Sequence, residues 1–164
     1  MVEVSKAMMK SRSASQQRDA VISGFPAVPA WFRHLFPYSK WGAEANAWIT
    51  PTFFTWLVGP MEIEATEIEG VRQRSQVHIK RCRYLAESGC AGMCVNLCKS
   101  PTQDFFTNQL GMPLTMQPNF QNYSCNMIFG QRPPPLKEDE ATGQSCLQEC
   151  SSALQSAPKC HKLQ

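Results

Sequence analysis

The sequence predicts an α+β fold: a single compact domain in which short antiparallel strands pack with several helices. Three observations point there. Segments with helix-start and helix-stop signals stand beside runs that alternate apolar and polar residues with a period of two. No strand–helix–strand rhythm links them, which removes the usual reason for a parallel sheet. The chain has 164 residues, 43% apolar and 18% charged. That length suits one domain with one core, and the low charge argues against wholesale disorder.

The first twenty residues, MVEVSKAMMKSRSASQQRDA, are polar. They lack the apolar core of a secretory signal. Their serines and basic residues lean toward an organelle transit peptide, whereas Glu3 and Asp19 lean away from it. Residues 1–24 are therefore expected to be a flexible lead-in, with the folded domain over 25–150 and a tail over 151–164. From Phe25 to Phe36 the text FPAVPAWFRHLF is apolar but broken by Pro26 and Pro29 and closed by Pro37, so any helix there is short. Residues 41–50 read as helix. Pro51 then opens a new turn or kinks the element, and the apolar run FFTWLVG ends at Gly59-Pro60.

Next, Met61, Ile63 and Ala65 alternate with Glu62 and Glu64, and Val77 and Ile79 repeat that pattern with His78 and Lys80. Gly70 lies between, so a hairpin is expected. Ser100-Pro101-Thr102-Gln103 reads as a helix start, with a serine cap, proline at the first turn and glutamine at the capping-box position. Gly111 ends that helix. Leu114–Met116 and Cys125–Phe129 read as two strands around the turn PNFQNYS. After Pro133-Pro134-Pro135, the stretch KEDEATGQSCLQECSSAL reads as a last helix.

Sixteen basic and thirteen acidic side chains give a net charge of +3, too modest to call for a polyanionic partner. The aromatics are embedded in apolar runs instead of lying along a basic stripe, so no nucleic-acid role is expected. No window approaches the roughly 20 apolar residues of a membrane-spanning helix.

Five of the eight cysteines fall in two spaced groups, Cys90-x3-Cys94-x3-Cys98 and Cys146-x3-Cys150. On an α-helix a four-residue step leaves an offset near ~40° and a rise near ~6 Å, so neighbouring members of each group share a face. All three of the first group would stretch over ~12 Å, too far for one tetrahedral ion with thiolate bonds near ~2.3 Å. Either the backbone is irregular there, which Gly89 and Gly92 allow, or the ligand is larger than one ion. There is no CxxC, and the bacterial ferredoxin pattern is absent. His34, His78 and His161 are scattered and too few for a four-histidine iron centre. A metal, if bound, is expected on thiolates. Any one of these cysteines also reads as a small buried hydrophobe, and a disulfide framework is a further reading of the pairs.

Residues 77–135, VHIKRCRYLAESGCAGMCVNLCKSPTQDFFTNQLGMPLTMQPNFQNYSCNMIFGQRPPP, closely resemble the DWARF-twenty-seven family, plastid iron-dependent β-carotene isomerases at the head of strigolactone synthesis. The stretch LFPYSKWGAEANAWITPTFFTWLVGP and the pair Cys146 and Cys150 look like the same family. The strings CxGMCVNLCK, PTQDFF, GMPLTMxPNF and SCxMIFGxxPP carry the resemblance over about residues 28–150. The N-terminus departs from it, since family precursors carry a transit peptide and further helical sequence. The resemblance implies reversible interconversion of all-trans- and 9-cis-β-carotene in the chloroplast, with iron as non-haem iron or an iron–sulfur cluster. It also implies a carotenoid taken from plastid membranes through peripheral contact. On that footing Cys90, Cys94, Cys98 and Cys125, with Cys146 or Cys150, are the expected thiolate ligands.

No catalytic acid, base or nucleophile stands out. An apolar tunnel has Phe53, Phe54, Trp56, Leu57, Phe105, Phe106, Met112, Met116, Met127 and Phe129 to draw on, although such residues more commonly build plain core. Lys99, Gln103 and Asp104 read as a solvated face and helix-start chemistry. The run Lys80-Arg81-Cys82-Arg83 reads either as a contact with anionic headgroups or as an ordinary exposed strand end. Two rivals remain: a non-catalytic cysteine-rich carotenoid-binding module, and an iron–sulfur electron-transfer protein.

Overall fold

A computed structural model describes residues 2–147, 150, 160 and 163, with residues 10 and 11 by backbone alone. In chain order the elements are α1 (Val2–Ser11), α2 (Ala14–Ile22), α3 (Ala30–Leu35), α4 (Lys40–Val58), β1 (Met61–Ile68), β2 (Val71–Ile79), α5 (Arg83–Ser88), α6 (Ala91–Met93), π1 (Cys94–Lys99), α7 (Ser100–Asp104), π2 (Phe105–Leu110), β3 (Leu114–Pro118), β4 (Cys125–Phe129) and a 3₁₀ turn, Glu140–Gly143. The α+β expectation holds. The chain divides into two compact units, one of Met1–Pro26, Tyr84–Thr102 and Pro134–Gln164, the other of Ala27–Arg83 and Gln103–Pro133.

The second unit is built on a four-stranded antiparallel sheet in the order β1-β2-β4-β3. Ile68 pairs with Val71, leaving Glu69-Gly70 as a two-residue loop. Both loop residues have positive φ, 51° and 79°, the combination that turns a hairpin in the hand of its strands. The expected alternation is visible in β2, where Gln73, Ser75, Val77 and Ile79 are buried and their neighbours are not. Leu114, Met116, Met127 and Phe129 complete the interior of the paired strands.

α4 packs on β2 and β1, and the helix continues past the position of Pro51. The residues it buries are small: Ala43 and Ala47 are 0% exposed, and Thr50 joins them. Small side chains let the helix approach the sheet closely, and the large ones are left outside. Phe53, Phe54 and Trp56, expected in the core or a tunnel, are exposed for this reason, while Leu57 is half-buried.

In the first unit, residues 1–24, expected as a flexible lead-in, carry α1 and α2. Ser13 opens α2 with a capping box: its hydroxyl accepts from the Gln16 N–H, and the Gln16 side chain accepts from the Ser13 N–H at 3.0 Å. Gln17 is fully buried, donating to the Arg12 carbonyl at 2.7 Å and accepting from Asn96 Nδ2 at 3.1 Å, which fastens α2 to π1.

Ser100 is helical and follows π1 directly, so the helix expected to begin there is already under way; Gly111, at φ 76°, ends π2 as expected. The expected last helix is replaced, among the described residues, by the 3₁₀ turn and irregular chain from 144 to 147. Its remainder, and most of the 151–164 tail, lie outside the described residues.

Candidate functional site

The cysteine segment of the first unit departs from an α-helix where the sequence allowed it to. Cys94–Lys99 forms π-helix, the wide i→i+5 turn that is rare and often found at functional sites. Cys90 precedes α6 in extended backbone, φ −135° and ψ 112°. Cys90 and Cys94 are buried and Cys98 half-buried. The Cys90 and Cys150 thiols are hydrogen-bonded neighbours. Burial pushes the Cys90 thiol above its usual range, backbone N–H groups at Met93 and Gly92 oppose that, and the Cys150 thiol adds to it. Tyr84 lies in the same neighbourhood. Burial raises its hydroxyl, Ser5 pulls it back, and Cys98, Cys94 and Cys90 raise it further.

Directly after Cys98 in the chain comes a polar anchor, Lys99, that the sequence reading placed in solvent. Lys99 is buried and pairs with buried Asp139 at 2.6 and 2.7 Å. Asp139 also accepts from the Ala141 N–H at 3.0 Å, capping the 3₁₀ turn. The pair therefore ties π1 to the segment that leads on to Cys146 and Cys150.

Cys90 and Cys150 meet, and Cys94 and Cys98 stand near Tyr84 in the same unit. Cys146 is half-buried in irregular chain. Cys125 belongs to the other unit, buried on β4 between Ser124 and Asn126. All eight cysteines are thiols. Among the described residues no three His, Cys, Asp or Glu side chains gather at the spacing of a single ion. Thiol chemistry suits iron, and among the described side chains the Cys90 and Cys150 thiols are a pair that the structure brings together.

The second unit holds an apolar cleft of about 390 Å³ between α3, the first half of α4 and the end of π2. Phe32, Leu35, Phe36, Pro37, Leu110 and Met112 line it, together with Gly42 and Ala45 of α4. Gly42 keeps it open, because a Cβ there would sit 3.1 Å from Met112 Cε. Its two polar side chains are turned to the backbone of Gly42: Ser39 Oγ accepts from the N–H at 3.1 Å and Asn46 Nδ2 donates to the carbonyl at 2.8 Å. Arg33 holds α3 against π2 by donating to the Asn108 carbonyl at 2.8 Å. Met112 is the one residue of the sequence-derived tunnel set on these walls. Phe105, Met116, Met127 and Phe129 are buried, and Phe106, half-buried, packs edge-on to Phe105 and Phe129, so these serve as core.

Gln103, also read as exposed, is buried, and its Oε1 accepts from the Met116 N–H at 2.7 Å to bind α7 to β3. Asp104 accepts from Asn108 Nδ2 at 2.5 Å. The cleft was missed because its lining comes from two distant segments, 32–46 and 110–112. The one signal was the density of apolar residues between prolines in FPAVPAWFRHLFP.

Residues 56–138, just over half of the chain, match the family model for the C-terminal region of β-carotene isomerase D27-like proteins. The chain belongs to the β-carotene isomerase D27-like family. Two relatives called chloroplastic β-carotene isomerase D27 are 41% identical over 98% of the chain, from Medicago truncatula, and 40% identical over 93%, from Arabidopsis thaliana. The chain spans 66% and 60% of the length of these two D27 proteins. No solved structure matches it. The matched region takes in the sheet, the cysteine segment and both π stretches.

Proposed function

We propose that this chain is a plastid carotenoid cis/trans isomerase that interconverts all-trans- and 9-cis-β-carotene at the start of strigolactone biosynthesis. The observation that carries the reading is the cleft between α3 and α4. β-Carotene is a hydrocarbon with no hydrogen-bonding group, and this cleft has apolar walls whose two polar side chains are spent on backbone. Its volume suits a ligand of drug size, hence one end of a carotenoid and not its full length. Phe32 and Phe36, with ring centroids 4.8 Å apart, offer a face against which a polyene can lie. Family membership and the names of the relatives support the same substrate.

Turning a double bond within a conjugated chain requires its bond order to fall for a moment, and iron, when bound, supplies one-electron chemistry suited to that. The Cys90 and Cys150 thiols, with Cys94 and Cys98 near Tyr84, are the donors proposed for it. The protein's own contribution at the cleft is to hold one end group still and to keep water off the polyene.

The test is anaerobic purification with metal analysis, then incubation with 9-cis-β-carotene and chromatography of the isomers. Iron and all-trans product together are expected. Carotenoid retained unchanged by an iron-loaded protein would move the reading to a carrier. Absence of iron after reconstitution, with isomerisation intact, would remove the iron requirement alone. Filling the cleft by Ala45→Phe is expected to raise the KM for β-carotene while leaving the metal content unchanged.

A further inference from the structure

The arrangement of α4 is the reverse of an ordinary surface helix. Taking about 100° per residue, Trp41, Trp48, Ile49, Phe53 and Trp56 fall within an arc of roughly 140°, and the buried Ala43, Ala47, Thr50 and Val58 lie opposite. Trp41 is 83% exposed, Trp48 69% and Trp56 66%. α3 continues the surface: it buries no residue, and Trp31, Leu35 and Phe36 are exposed. A six-residue helix with no fully buried residue gains little from hydrophobic burial. An exposed apolar face of this size marks a contact surface.

Its chemistry favours one occupant. All four tryptophans of the chain are on α3 and α4, and tryptophan is the residue concentrated where hydrocarbon meets headgroups. From residue 27 to 60 the charged side chains are Arg33, Lys40 and Glu44. Glu44 is turned to the sheet, accepting from the Arg74 N–H at 2.9 Å. Arg83 joins the far end of the helix, donating to the Trp56 carbonyl at 2.7 Å. The rim is thus cationic around an aromatic centre, complementary to anionic headgroups over acyl chains. The basic run read as headgroup contact or strand end is mostly engaged within the unit: Lys80 pairs with Glu62, and the Arg81 guanidinium lies over Tyr123, 5.2 Å from the ring centroid. No helix among the described residues is long and apolar enough to cross a membrane, so the fit is to lying in the interface.

We infer that the aromatic face of α3 and α4, flanked by Arg33 and Arg83, docks on the surface of an anionic lipid bilayer. Ala45 lies on the same arc and lines the cleft. The cleft therefore opens toward the lipid, and a membrane-dissolved substrate can enter without crossing water. That last consequence rests on the carotenoid reading; the docking itself does not.

The experiment uses the full chain and carotenoid-free vesicles of phosphatidylcholine with or without phosphatidylglycerol. Because every tryptophan is on the face, intrinsic emission reports on it alone. With anionic vesicles the protein is expected to float, its emission to move to the blue, and brominated acyl chains to quench it. Trp41→Ser with Trp48→Ser should lose at least about tenfold in partitioning, and Arg83→Glu about fivefold or more. Both variants alter exposed positions and should keep their circular dichroism. Should the double variant not fold, quenching of the unaltered protein by brominated lipid decides. Failure to float, or emission unmoved by brominated lipid, overturns the inference. So does a lipid-independent blue shift that grows with protein concentration alongside a dimer mass, which would make the face a contact between copies. A bilayer-bound protein inactive on β-carotene would uphold the docking and refute the isomerase reading.

Discussion

Lys99 shows at the level of a single residue how far burial overrides appearance. Beside Ser100 and Asp104 its charge looks like solvent chemistry, yet it ends in a buried pair with Asp139. Removing one partner strands the other charge, so Lys99→Met is expected to lower the unfolding free energy by about 3–5 kcal/mol in a denaturant titration. Nothing local announces this, because the partner is 40 residues away. Gly130, at φ 99°, is the converse case: a Cβ there would meet the Tyr38 hydroxyl at 2.7 Å. Gly130→Ala should therefore cost about 1–3 kcal/mol, read as a lower thermal midpoint. Cys90 has a pH consequence. Its raised thiol is held neutral in the fold, so it should alkylate with iodoacetamide near pH 8 more slowly than half-exposed Cys146. The stability gained from keeping that thiol neutral is complete below the ordinary thiol range. It falls away as pH climbs through that range toward the raised value, so the metal-free protein should unfold more readily at alkaline pH.

At the level of elements, legibility followed locality. The β1–β2 hairpin could be read because period-two alternation and Gly70 lie within twenty residues, and β3 and β4 because their apolar runs flank a short polar turn. The cysteine helix could not be read in full. A spacing of four suggests an α-helical face, and the π turn of Cys94–Lys99 changes the phase; the sequence showed only that a regular helix was unsuited to one ion. α4 was found, but its orientation was not. Aromatic residues ordinarily mark the inward side, whereas here close approach to β2 selects Ala43 and Ala47 for that side. Capping offers a check at the same scale. Ser13→Ala removes one half of the capping box of α2 and should cost about 1 kcal/mol, visible as reduced helical signal and a lower midpoint.

For the molecule as a whole, the family was accessible from residues 77–135 because those strings pack chemistry and structure into one segment, and the fold class from alternation and helix-start signals spread along the chain. The two candidate sites were accessible only as residue types. Each is assembled from segments far apart in the chain: the thiol pair from residues 90 and 150, the cleft from 32–46 and 110–112. Periodicity has no reach over such distances, and composition says what is available without saying what meets. The π turn adds a consequence of another kind. A π turn carries one residue more than the α-helical path it replaces, so deleting a single residue within Cys94–Lys99 would leave a chain well able to stay helical. Everything beyond the deletion would nonetheless be rotated by about 100° against everything before it. Cys90, before the deletion, would turn relative to Lys99 beyond it, so the Cys90–Cys150 and Lys99–Asp139 contacts could not both be kept. This stretch works as an angular offset written into the chain: its length, more than the identity of its residues, decides which side chains face each other.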